Sequence, residues 1–164
     1  MTRFKKIALG VLVVLLGMQL IPSKNNTAPE LEKHPLFVDY PTSHTVENTI
    51  RFACGDCHSN HTEYPWYSNI QPVGMWLDHH VEEGKEHFNI DAWNEYTPKK
   101  QKHKIEECME VIESGEMPME SYVKMHPKAN LTEVQKKEIK LWAKGLIDSL
   151  DRRHHLPKEI RSDR

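Results

Sequence analysis

The chain has 164 residues, 28% of them charged, and a formal net charge of −2, with 11 histidines and three cysteines. One domain plus a leading segment fits that length. The mildly acidic balance argues against a nucleic-acid surface, which carries clustered Lys and Arg, and an odd cysteine count argues against a disulfide framework.

Arg3, Lys5 and Lys6 precede an apolar run from Ile7 to Ile21 that Pro22 ends. A basic start followed by an apolar run of this kind marks export, with the positive end left in the cytoplasm. No small-x-small cleavage site follows, because Met18, Gln19, Leu20 and Ile21 are bulky. Residues 1–22 are therefore expected to be an uncleaved N-terminal membrane helix anchoring the protein to the inner membrane of a bacterium, facing the periplasm. Cleavage is the alternative, since the run is shorter than the ~20 residues an ordinary span needs. Residues 23–42 hold Pro29, Pro35 and Pro41 and read as an extended tether, since proline fixes φ and removes helix donors.

The domain proper is expected over 43–150. A first helix is predicted from about Ser43 to Cys57, then a loop over 59–71 rich in Asn, Tyr and Pro. Pro72 opens a second helix through His87. Thr97-Pro98 caps a third, which ends at Gly115. Its stripe Ile105, Cys108, Met109 and Ile112 makes Cys108 a small buried hydrophobe. Thr132 with Gln135 forms a capping box for the last helix, whose stripe is Ile139, Trp142, Ala143, Leu146 and Leu150. Residues 151–164 read as a charged, flexible tail. No strand-like alternation runs any useful length, so the class is all-α.

The strongest signal is Cys54-Gly55-Asp56-Cys57-His58. Two thiols separated by two residues on a helical turn can add to the two vinyl groups on one haem edge. The next residue then falls beneath the iron, where a neutral imidazole coordinates it. Zinc would call for a second Cys/His pair at ligand spacing, and a thioredoxin-like pair would call for a βαβ setting; neither is present. The expectation is one covalent haem c held by Cys54 and Cys57, with His58 on the iron.

For the second iron ligand Met117 is preferred. It sits in Ser114-Gly115-Glu116-Met117-Pro118, where proline restrains the backbone of a soft thioether donor. Met119 and Met125 are read as packing. Behind them stand His61, His79, His80 and His126. In the loop, Tyr64, Trp66 and Tyr67 offer flat apolar area to a porphyrin, and Ser68, Asn69 and Trp76 offer donors to its propionates.

These residues resemble the small bacterial haem-binding domain family. The resemblance rests on Cys54 to Asn60, Thr62, Tyr64 to Ile70, Pro72-Val73, Trp76-Leu77, His80-Val81, Glu83-Gly84, Asn89 and Trp93. It continues through Gly115 to Pro118, Tyr122, His126-Pro127, Ala129, Leu131-Thr132 and Trp142. The chain departs from the family pattern at Met75 and Met119. The resemblance implies a single c-type haem in a cytochrome c-like, exported, single-domain protein with an N-terminal membrane segment. The expected function is electron transfer by a membrane-tethered His/Met cytochrome with a redox partner protein. A haem-based sensor or small-molecule binder and a haem accessory subunit are the alternatives; an enzyme is disfavoured because no distal His/Arg pair stands at helical spacing.

Overall fold

A computed structural model describes residues 2–155. It is all-α among those residues: α1 (Arg3–Met18), α2 (Pro35–Asp39), α3 (His44–His58), α4 (Val73–His87), α5 (Pro98–Ser114), α6 (Glu120–Met125) and α7 (Glu133–His154), with short 3₁₀ turns at Trp66–Asn69, Trp93–Glu95 and Pro127–Ala129.

The helix starts follow the local chemistry read from the sequence. Ser43 accepts from the Val46 N–H, and Thr97 accepts from the Lys100 N–H. Thr132 and Gln135 cap α7 reciprocally. Each of these bonds satisfies an otherwise orphaned donor of a first turn. Gly115 ends α5 with φ +78°, a left-handed conformation that suits glycine. α5 packs on α7 and α3 on α4, around a core that includes Ile50, Ala53, Trp93, Ile105, Ile139, Leu146 and Leu150.

The expectation of an N-terminal membrane helix is overturned. No helix among the described residues is long and apolar enough to cross a membrane. α1 has 16 residues, about 24 Å at 1.5 Å per residue, against a hydrocarbon core of ~30 Å. The apolar run extends past Met18, but there Gln19, Leu20 and Ile21 tighten to i→i−3 bonds ahead of Pro22, and Gln19 turns to the domain. Its side-chain amide donates to the Gln71 carbonyl at 3.0 Å and accepts from the Gln71 N–H at 3.0 Å.

The stretch expected as a free tether is laid along the domain instead. The Lys24 N–H donates to Asp78 (2.7 Å), the Asn26 N–H to the Tyr64 hydroxyl (3.0 Å), and Ala28 N–H to the Asn60 carbonyl (3.1 Å). Thr62 N–H returns a bond to the Asn26 carbonyl at 2.9 Å. α2 then inserts Leu36 and Phe37, which are 1% and 0% exposed, into the core. Around Pro29 the run is extended, and extended backbone can pair with a neighbouring loop as readily as it can hang in solvent; Pro35 instead takes the first position of α2, so the run is not extended throughout. Phe37→Ala is expected to cost about 3–5 kcal/mol, read as a fall in the denaturant midpoint at unchanged m-value. A tether would show no change.

The flexible tail expected from residue 151 is helical over its first four residues. α7 continues to His154, and Asp151 accepts from the buried Lys102 ammonium at 2.9 and 3.1 Å. Residues 156–164 lie outside the described residues.

Candidate functional site

The Cys54–His58 motif forms the last turn of α3, which lies close against α4. The approach requires Gly84: a Cβ there would stand 2.6 Å from the Cys57 carbonyl oxygen and 3.0 Å from the Cys57 Cβ. Both distances are too short for a backbone and a side-chain root to yield cheaply. The helix interior thus accepts a poor helix former in exchange for close packing.

All three cysteines carry free thiols. Burial pushes the Cys54 thiol up to about 12, with the neighbouring Cys57 adding to the effect. Burial and the Asp56 charge push Cys57 up to about 11. Both are protonated at neutral pH. Reactive redox pairs work through a thiolate of depressed pKa, so this environment does not suit a thioredoxin-like couple. Cys108 behaves as the sequence suggests: burial raises it to about 12, Cys54 is its electrostatic neighbour, and both pack against the core.

His58 is held on two sides. Its Nδ1–H donates to the Phe88 carbonyl at 2.8 Å, and the Ile90 N–H donates to the His58 carbonyl at 2.9 Å. Burial lowers its pKa, outweighing the opposing pull of the Phe88 and Gly84 backbone. The ring is therefore neutral with its proton on Nδ1, which leaves the Nε2 lone pair for a metal. Among the described residues, no three His, Cys, Asp or Glu side chains are grouped to hold a metal ion. A zinc cage, weighed from the sequence, would require such a group.

Asp56, between the two cysteines, organises the following loop. Its Oδ1 accepts from the Glu63 N–H at 3.0 Å and its carbonyl from the Thr62 hydroxyl at 2.6 Å. Its Oδ2 accepts from the Tyr122 hydroxyl at 2.7 Å. Burial, and after it the hydrogen bond to Asp56 and that carboxylate's charge, hold the Tyr122 hydroxyl well above the usual phenol range. Tyr122 stacks on His126 with ring centroids 4.2 Å apart.

A cleft of about 370 Å³ opens beside Cys57 and Asp56. Of the expected cofactor-binding residues, Tyr64 and Trp76 line it, while Trp66 and Asn69 do not. Trp66 is 79% exposed and meets Tyr67 edge-on, and Asn69 is also exposed. Ser68, the other expected donor, is buried, and its carbonyl accepts from the Ser23 hydroxyl at 3.1 Å.

The candidate iron ligands divide. Met119, Met125, His80 and His126 line the cleft, whereas His58 and Met117 are not part of its wall. Met117 is half-buried, and its N–H donates to the Val111 carbonyl at 3.0 Å. That ties it to α5, the helix whose Cys108 neighbours Cys54. His80 meets Trp76 edge-on at 4.3 Å. The sequence reading missed the Asp56–Tyr122 bond and took Met119 and Met125 as packing alone. Only the place of Tyr122 in the family resemblance singled it out, because a bond spanning 66 residues leaves no local pattern.

Two free thiols one turn apart, a neutral imidazole directly after them and a cleft beside Cys57 are residues and space that fit a haem. A family model described as a haem-binding domain matches residues 13–145 of the chain. No curated protein and no solved structure matches it.

Proposed function

From the premise that the chain belongs to the haem-binding domain family, we propose that it is a c-type cytochrome that carries electrons to or from a redox partner in the bacterial periplasm. The observation that carries this reading is the double hold on His58, immediately after two protonated thiols one helical turn apart.

Cys54 and Cys57 would hold the haem through thioethers, each S–H adding across one vinyl group so that the sulfur bonds one carbon and the hydrogen the other. His58 presents Nε2 because the Phe88 carbonyl occupies the Nδ1 side, and that hydrogen bond raises the basicity of the ligand. Met117, in the turn that closes α5, would supply a thioether to the iron. When bound, haem would supply a one-electron ferric/ferrous couple whose potential follows from its ligands and burial. The protein's part is to close both iron faces, keep water from them and hold the ligands still. The periplasm follows from the basic-then-apolar start, since thioether attachment takes place after export.

The decisive measurement is the intact mass of protein matured with haem-attachment machinery. One haem should remain through denaturation and acid–acetone extraction. Complete extraction of the haem would refute covalent attachment.

A second reading, a haem-based sensor or small-molecule binder, draws on the cleft beside Cys57 with Tyr122 and His126 in its wall. It requires one iron face to open to an exogenous ligand, and carbon monoxide binding separates it from the carrier.

A further inference from the structure

A buried histidine–carboxylate contact lies behind the residues that hold His58. His34, from the extended segment before α2, places Nδ1 on the Asp91 carboxylate, and the two side chains are 5% and 4% exposed. Asp91 also accepts from the Asn60 N–H at 2.7 Å. Its own N–H donates to the Asn89 Oδ1 at 2.9 Å, and the Asn89 amide donates to the Asn60 Oδ1 at 2.9 Å. The Tyr96 hydroxyl accepts from the Asn89 N–H at 3.0 Å. Residues 88–91 and 58–60 are thus stitched together on both sides of His58. The two bonds to His58 itself, through the Phe88 carbonyl and the Ile90 N–H, come from the same four-residue loop.

Burial alone would push the Asp91 carboxyl up, but the His34 ring and the Asn60 N–H hold it below its usual range. The loop is therefore anchored by a carboxylate. An uncompensated buried charge is costly, so the loop holds this position only while His34 faces it.

We infer that His34 and Asp91 are positioning residues for the haem ligand: through the 88–91 loop they fix the orientation and basicity of the His58 ring and so set the haem potential. This rests on the reading of His58 as the iron ligand. Partners beyond the ligand shell tune ligand strength in just this manner at metal sites. The direction follows from the chemistry. Loosening the Phe88 carbonyl from Nδ1–H weakens the imidazole as a donor, and removing the Asp91 charge withdraws an anion from the loop that holds His58. Both favour ferrous iron, so the potential rises.

The test uses full-length protein matured with haem-attachment machinery, as wild type, Asp91→Asn, His34→Phe and His34→Gln. Intact mass, midpoint potential and the NMR signals of the His58 ring are read on each. Asp91→Asn and His34→Phe are expected to retain the haem and shift the ferric/ferrous equilibrium about tenfold toward ferrous, 59 mV for one electron, with displaced His58 ring signals. His34→Gln keeps a donor toward Asp91 and should return the potential close to wild type. Unchanged potential and ring signals in the haem-loaded variants, even with lowered stability, would overturn the inference. So would a potential that moves while the ring signals do not. If Asp91→Asn does not accumulate, the contrast between His34→Phe and His34→Gln decides. A wild type without covalent haem would instead overturn the proposed function; the clamp is then judged by whether Asp91→Asn changes the tautomer of the His58 ring.

Discussion

His58→Ala is expected to abolish the low-spin haem spectrum while leaving the haem attached. The thioethers depend on Cys54 and Cys57, so the mass should still carry one haem, but the iron loses the ligand that stands next to the attachment point. His79→Ala and His80→Ala should leave the spectrum largely intact. His79 is exposed near Glu83, and His80 packs on Trp76; neither has a carbonyl that fixes its Nδ1 as Phe88 fixes that of His58. The optical spectrum and intact mass of the three variants check this. A wild-type spectrum for His58→Ala would contradict the ligand assignment outright.

The second large effect belongs to the other iron face. Met117→Ala should give fast carbon monoxide binding and a lower potential, since a thioether favours ferrous iron relative to harder donors. Wild-type protein should be low-spin in both oxidation states, slow to bind carbon monoxide, and show the weak far-red sulfur–iron band when oxidised. Met119→Ala is the informative control, because Met119 lines the cleft beside Cys57 and Met117 does not. If Met119→Ala alone opens the iron, the carrier reading stands and the ligand moves two residues along the same turn. Rapid carbon monoxide binding by the wild type favours the sensor reading.

The helix ends were legible in the sequence because each depends on a few adjacent residues. Thr132 and Gln135, Thr97-Pro98, and Gly115 act within one turn, and the structure uses them as read. The motif was legible for the same reason: spacing along one helix fixes which residues share a turn. The segment 23–42 was not. Pro29 suits extended backbone while Pro35 opens α2, and whether the extended part meets water or protein depends on Asn60, Thr62 and Tyr64, far along the chain. The extent of α1 was misjudged similarly. Apolarity alone runs to Ile21, whereas the helix stops at Met18, ahead of Pro22, where Gln19 bonds to Gln71 far along the chain. The cleft had the same limitation: Met119, Tyr122 and His126 are brought to Cys57 by helix packing that no short window records.

The pairing of residues 24–28 with 60–64 also governs where the chain can be cut. A fragment beginning at Ser43, the start suggested by the helix pattern, would strip the Asn60–Tyr64 loop of its backbone partners and leave Asp91 without His34. The smallest faithful version of this domain begins before Lys24. Fragments on either side of that boundary would differ in more than length, because the leading segment serves as one wall of the structure behind the haem motif.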